Sequence, residues 1–277
     1  MYYLGIDSST KKLSIGISWG DKILARNVYS SSSGYMANII SFIDKILKKV
    51  NIPLSAIDNF CVNTGPGDFT GTRIGISIIK TFGFVENKPV HGIDSLDVLA
   101  LQIFINNLKT IAFEMLKGKN VFIVPLLDVK KEELFFTFYE AKFGNGPDSQ
   151  TKAMHLLKKE VIYLNKISVN YLKCCENFPY FFGDLAGNVN QTITSRDNLT
   201  IFISGTAFVS YRQLFSDLLK SGYHLLLDKK SMNPDVRFLN LSAYFRVLFG
   251  RMTGKDQVVV PFYVREFKPF GGKEFKK

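Results

Sequence analysis

The sequence predicts an α/β protein built as two related lobes. A strand ending in aspartate, a polar turn and a returning strand occur twice. The first unit runs from residues 2–6 through Asp7 to Leu13, Ile15 and Ile17; the second runs from residues 121–127 through Asp128 to residues 134–139. Helical apolar periodicity follows each unit. The chain has 277 residues and is 46% hydrophobic, enough for one large domain or two lobes with a real core. The halves divide in the polar stretch near residues 109–120. This gives an N-terminal lobe over 1–112 and a C-terminal lobe over 113–277, the last helix and tail being free to return towards the N-terminal lobe.

Taken in order, residues 2–6 form an apolar strand, and Ser8, Ser9, Thr10 and Lys11 make a turn. Leu13, Ile15 and Ile17 alternate with Ser14, Gly16 and Ser18, the period of a strand. Trp19 to Lys22 turns again, and residues 23–29 return as a third strand. A helix is predicted over 36–50, its stripe formed by Ile39, Ile43, Ile46, Leu47 and Val50 with Met36 and Ile40 beside it. A strand at 59–63 leads into a glycine-rich loop, and residues 72–85 read as a second helix. Asp94 and Ser95 can cap a third helix, to about residue 108. In the second half, residues 141–158 read as polar and irregular. Strands are predicted at 161–164 and 180–182, a strand–helix pair across 200–220, and a late helix over 239–249.

The glycine-rich loop, NTGPGDFTGTRIG over residues 63–75, invites a phosphate-binding reading. The P-loop spacing is absent, because no Gly-Lys-Ser or Gly-Lys-Thr occurs. In the dinucleotide register Gly65 and Gly67 fit, but Thr70 stands where the third glycine belongs, with Gly71 one residue late. Thr70 can cap the helix that follows, and free amides there would attract an anion. Asp68 opposes phosphate by its charge, although a carboxylate also suits a helix start. Two readings stay open: an anion site, or a strand–turn–helix corner where glycines permit close packing.

The formal charge of +11 and a pI near 9.4 permit a nucleic-acid partner, but the lysines are scattered and form no concentrated patch. Cys61, Cys174 and Cys175 lack metal-ligand or disulfide spacing, so free thiols in a reducing compartment are expected. No signal peptide or membrane-length apolar run is visible, so a soluble cytoplasmic protein is expected. His91, His155 and His224 never stand at i, i+4, so no metal is expected. The one Gly-x-Ser-x-Gly spacing, Gly16 to Gly20, falls in the second strand and its turn and not at a strand-to-helix elbow, which leaves a protease reading without support.

Several segments together resemble a known family. GPGDFTGTRIGISIIKTFGF resembles the Gly-Pro-Gly-Ser-Phe-Thr-Gly-x-Arg-x-Gly signature of the TsaB (also called YeaZ) family. YYLGIDSSTKKLSIGIS, PVHGIDSLDVLA and LLDVKKEELFFTFYE resemble its opening strands, its Ser-Ser-Leu helix start and its second hairpin. FFGDLAG and PFYVR resemble its Gly-Asp-Gly turn and closing Pro-x-Tyr-Leu-Arg. The match is specific over residues 2–100 and patchy beyond. The resemblance implies an actin-like ATPase (ribonuclease H-like) fold and a part in making threonylcarbamoyladenosine beside the tRNA anticodon. It implies pairing with a TsaD-type paralogue that does the chemistry, docking of a TsaE-type ATPase, and contact with tRNA through the complex. Three departures stand out: Asp68 replaces the usual serine, Ser33-Gly34-Tyr35 stands where His-Ser-Glu is common, and Asp128-Val129-Lys130 replaces Asp-Ala-Arg.

A non-catalytic role is expected on the residues too. Actin-like ATPases hold phosphate between two hairpins. Asp7, Ser8 and Ser9, with Gly65, Gly67, Asp68 and Thr70 nearby, could form one jaw; the second, around Asp128, has no glycine to let phosphate approach. No cofactor is therefore expected, with any nucleotide confined to a subunit interface. Ile74, Ile78 and Phe82 join the other apolar residues that surround the second helix. Gly71 and Gly75 fall on one face, where they would admit another helix, and Arg73 would cross the seam or face an anion. With Met36, Ile40, Ile43 and Leu47 of the first helix they are the expected partner-binding set, which would close as a homodimer when the chain is alone. The alternative is a small-molecule kinase or ATPase on the same fold.

Overall fold

A computed structural model describes residues 1–30, 35–128, 133–144, 151–157, 160–166, 171–174, 198–211, 224–248 and 259–260. The first sheet holds β1 (Tyr2–Asp7), β2 (Lys12–Trp19), β3 (Lys22–Ser30), β4 (Asn59–Gly65) and β5 (Val90–Asp94), in the order β3-β2-β1-β4-β5. β1 to β3 form an antiparallel meander, while β4 and β5 add parallel to β1. The helices α1 (Ile39–Val50), α2 (Phe69–Val85), α3 (Ser95–Asn106) and α4 (Leu108–Leu116) belong to the same half.

The second sheet repeats the plan around β6 (Asn120–Asp128). β7 (Glu133–Phe136) and β8 (Tyr139–Gly144) pair antiparallel with the end and the start of β6, so they form one interrupted strand broken at Thr137 and Phe138. β9 (Thr151–Leu157), β10 (Glu160–Lys166) and β11 (Tyr171–Cys174) extend this side. On the other side β12 (Leu199–Ser204) joins β6 in parallel and β13 (His224–Leu227) joins β12, as β4 and β5 join β1. A one-turn helix α5 (Ala207–Ser210) and a longer α6 (Val236–Leu248) complete the described α-helices. The segment expected to be irregular therefore holds β8 and β9. The strand expected at 180–182 and the tail beyond Val260 lie outside the described residues.

Alternation along β1 gives the first sheet two buried faces. Leu4 and Ile6, with Leu13, Ile15 and Ile17, pack against Ile39, Ile43, Ile46 and Leu47 of α1 and Ile76 and Ile79 of α2. Tyr3, Cys61 and Ile93 face the opposite way, onto Val98 and Phe104 of α3 and Val236, Leu239 and Ala243 of α6. Those two helices are covered beyond by Val121, Ile123, Tyr139 and Phe202 of the second sheet. Being sandwiched explains why α3 is apolar almost all round. The expected third helix is α3, and beyond Asn107 the chain turns by 73° into the additional helix α4. Among the described residues no single helix is long and apolar enough to cross a membrane.

Sequence-distant residues seat α6 on the first sheet. Asp235 caps its first turn, accepting from Arg237 N, and Arg26 of β3 binds the same carboxylate at 2.9 Å. Asn240 donates to the carbonyls of Tyr3 and Gly16. A Cβ on Gly5 would fall 2.0 Å from Asn240 Oδ1, so glycine there is what lets the helix lie flat on the strand. Val259 also returns to the first lobe, buried against Gly92.

Candidate functional site

The turn after β1 and the loop after β4 meet at the edge of the first sheet. Asp7, at the end of β1, is 1% exposed. Its Oδ1 accepts from Ser9 N at 3.0 Å and Ser9 Oγ at 2.8 Å, and its Oδ2 accepts from Asn63 Nδ2 at 2.8 Å. Asn63 is held in turn, because its Oδ1 accepts from Gly65 N at 2.8 Å and Ser95 Oγ at 2.6 Å. Burial pushes the Asp7 carboxyl up to about 6, outweighing the three hydrogen bonds that favour its charge.

The glycines serve this contact. Added Cβ atoms would meet Ser9 O at 2.1 Å from Gly67, Ser8 O at 2.2 Å from Gly71 and Ser8 Oγ at 2.4 Å from Gly75. Asp68 N donates to Ser9 O at 2.6 Å, and Ser8 Oγ donates to Gly71 O at 2.7 Å. What approaches Gly71 and Gly75 is thus the first hairpin, not a second helix, which corrects the expectation from their spacing. The cap is also corrected. Asp68, not Thr70, stands before α2, its Oδ1 accepting from Gly71 N at 2.8 Å, while Thr70 is exposed and lines the cleft.

A cleft of about 630 Å³ separates this latch from the second lobe. The residues at 9–12 and 67–70 line one wall; Leu127, Asp128, Thr206, Ser210, Met232 and Asn233 line the other. Asp128 accepts from Ser210 Oγ at 2.6 Å and Tyr211 OH at 3.1 Å, and its amide donates to Thr206 Oγ1 at 2.9 Å. The rest of that second hairpin turn lies outside the described residues. Sequence reasoning passed over Asn63, Thr206, Ser210 and Tyr211. Only Asn63 gave a signal, by standing where a strand enters the glycine loop. Among the described residues no three His, Cys, Asp or Glu side chains gather as a metal site.

The expected partner-binding residues divide. Ile40 is 55% exposed on α1, and Arg73 is exposed on α2, its guanidinium 3.8 Å from the Phe69 ring. Ile74, Ile78 and Phe82 are half-buried against the lobe's own core. Ile43 and Leu47 are corrected to core residues: they are buried beneath α1 and present nothing to a partner. The Met36 side chain lies outside the described residues. The most exposed apolar groups of α2 are Phe84 and Val85, which the expected partner-binding set did not name. His91 is fully inside, its Nε2 2.8 Å from Asn59 Oδ1, and burial, aided by the Arg246 charge, lowers its pKa to about 4.

Two lobes with repeated topology around such a cleft define an actin-like ATPase fold. Residues 22–179, more than half of the chain, match the family model described as TsaD: tRNA N6-adenosine threonylcarbamoyltransferase. The chain belongs to the family that model describes and, within it, to TsaB (YeaZ). The TsaB protein of Haemophilus influenzae is 28% identical over 135 residues, 48% of this chain and 52% of the relative. That of Bacillus subtilis is 23% identical over 146 residues, 52% of this chain and 57% of the relative. The chain spans about half the length of these curated relatives. A solved Pseudomonas aeruginosa structure, described as uncharacterized with similarity to peptidase YeaZ, has 17% identity and a TM-score of 0.65. It covers 95% of this chain and 99% of its own, a likeness of fold.

Proposed function

We propose that this chain is a non-catalytic pairing subunit in the synthesis of threonylcarbamoyladenosine in tRNA, acting in the cytoplasm. Its partner on this reading is a TsaD-type transferase, with a TsaE-type ATPase docking on the pair and tRNA bound through the complex. Without that partner the same surface would close as a homodimer. The relatives' names support the pathway. The observation that carries the non-catalytic role is the sealed first jaw. Both Asp7 oxygens are occupied by Ser9 and Asn63, and the glycine loop lies on the hairpin where a phosphate would have to approach. A carboxylate so enclosed cannot reach a substrate or a metal.

Exposed Ile40 on α1 and Phe84 and Val85 on α2, beside half-buried Ile74 and Ile78, supply apolar surface for the pairing. The tagged chain, isolated from its native cells, is expected to bring down a TsaD-type protein, and Ile40→Asp is expected to lose it while staying folded. Normal recovery with both Ile40→Asp and Ile78→Asp would refute the pairing surface. The second reading, a small-molecule kinase or ATPase, is favoured by the cleft, whose volume falls in the range of ligand sites. Tight magnesium-dependent ATP binding by the isolated chain would promote it over the first.

A further inference from the structure

We propose that a buried charge cluster centred on Asp97 locks the two lobes together, so that the cleft keeps one width. Asp97 lies on α3, between the sheets, with its side chain 5% exposed. On one side its Oδ2 accepts from Arg246 of α6 at 3.2 Å, and the same guanidinium donates to the β5 carbonyl of Gly92 at 3.1 Å. On the other side its Oδ1 accepts from Tyr139 OH of β8 and from Lys166 Nζ of β10 at 3.0 Å. The chain of contacts therefore runs from the first sheet, through both sandwiched helices, to the second sheet.

Its surroundings make it a lock. Arg246 and Lys166 are 16% and 20% exposed, and the neighbouring helix surface is the apolar core of Val98, Leu101 and Leu239. Two-lobed proteins with a ligand cleft commonly close by a hinge that leaves each lobe intact. Opening here would part Asp97 from a cation inside that core. A buried charge losing its partner is a far larger cost than a surface pair carries. The charges also hold one another: burial works against the Lys166 charge, but Asp97 and Asp94 outweigh it and keep its pKa above the ordinary lysine value. The lock concerns the lobes alone and holds whether the chain is a pairing subunit or a kinase.

The test is an interlobe distance measured by pulsed spin-label resonance on the full chain. Labels go at Lys80→Cys on α2 and Asn198→Cys before β12, with Cys174→Ser and Cys175→Ser removing the other candidate label sites; Cys61 is buried. The otherwise unaltered protein is expected to give one narrow distribution, unchanged by MgATP. Asp97→Ala and Arg246→Met are expected to broaden or shift it beyond its own width while far-ultraviolet circular dichroism stays unchanged. Lys166→Met removes one cation at similar chain length and is expected to do the same, so it answers the question if the other two do not fold. Distributions in the folded variants that superimpose on the unaltered one would overturn the lock, as would a shift of the unaltered protein on adding MgATP.

Discussion

Replacing Asp7 by asparagine and His91 by glutamine should tilt the pH dependence of stability in opposite directions. Asp7 rises from 3.8 to about 6 on folding, because burial disfavours its charge. The native state therefore holds a proton that the unfolded chain has released between those values. Asp7 contributes stability below about pH 4 and loses it as pH climbs through 6. At ~1.4 kcal/mol per pH unit, the swing is on the order of 3 kcal/mol. His91 falls from 6.5 to about 4, again because burial disfavours charge. Here the unfolded chain binds the extra proton. His91 contributes stability above about pH 6.5 and loses it as pH falls towards 4, with a swing also on the order of 3 kcal/mol.

The two swings nearly cancel in the unaltered protein, so the variants are needed to see them. Urea unfolding between pH 4 and 7.5 gives the free energy of each variant relative to the unaltered chain. The Asp7→Asn difference should improve by about 3 kcal/mol from acid to neutral pH, and the His91→Gln difference by a similar amount in the reverse direction. An offset is also expected for Asp7→Asn, since its new amide group would face Asn63 Nδ2 or the Ser9 donors. The slope carries the test, because the offset does not vary with pH. A flat Asp7 curve would mean that its hydrogen bonds compensate for burial completely. Slopes of one sign in both variants would refute the reasoning outright.

Two further outcomes test the packing. Asp68→Ala should destabilise by ~1 kcal/mol through loss of the α2 cap, and Asp68→Ser should recover most of it in the same urea assay. Gly5→Ala should cost ~1–3 kcal/mol, because its methyl overlaps Asn240. Adding Asn240→Ala should then cost less than it does in the unaltered chain, and strict additivity of the two would argue against the α6 seat.

The strands were legible where alternation was strict. Leu13, Ile15 and Ile17 face one core, and the sequence shows that period directly. Helix stripes were less informative about what covers them. The stripe of α1 names Ile43, Leu47 and Ile40 together, but the sheet covers the first two and leaves the third exposed. The cap of α2 turned on a tertiary contact. Both Asp68 and Thr70 suit a cap, and the bond from Asp68 N to Ser9 O, 59 residues away in sequence, helps hold Asp68 extended ahead of the first turn. The Asn106-Asn107 pair marks the end of α3, but nothing in the local pattern sets the 73° turn into α4, and the interruption between β7 and β8 depends on how both pair with β6. The charge cluster at Asp97 draws residues from four elements, which no local window contains.

The glycine loop joins the two levels. Its composition left an anion site and a packed corner equally open, since both need backbone without Cβ atoms. The partners favour the packed corner. Gly67, Gly71 and Gly75 all turn towards Ser8 and Ser9, and the loop amides of Gly65, Asp68 and Gly71 are bound by protein oxygens. An amide already bonded at 2.6–2.8 Å must give up that bond before it can hold phosphate. Opening the loop would also leave Asp7 with fewer donors around a buried carboxylate. The latch and the carboxylate therefore stabilise each other, and the same residues that look like an anion cradle in sequence stiffen the lobe that carries α1 and α2. A rigid helical face is what a pairing subunit needs, because side chains already ordered lose less entropy on docking.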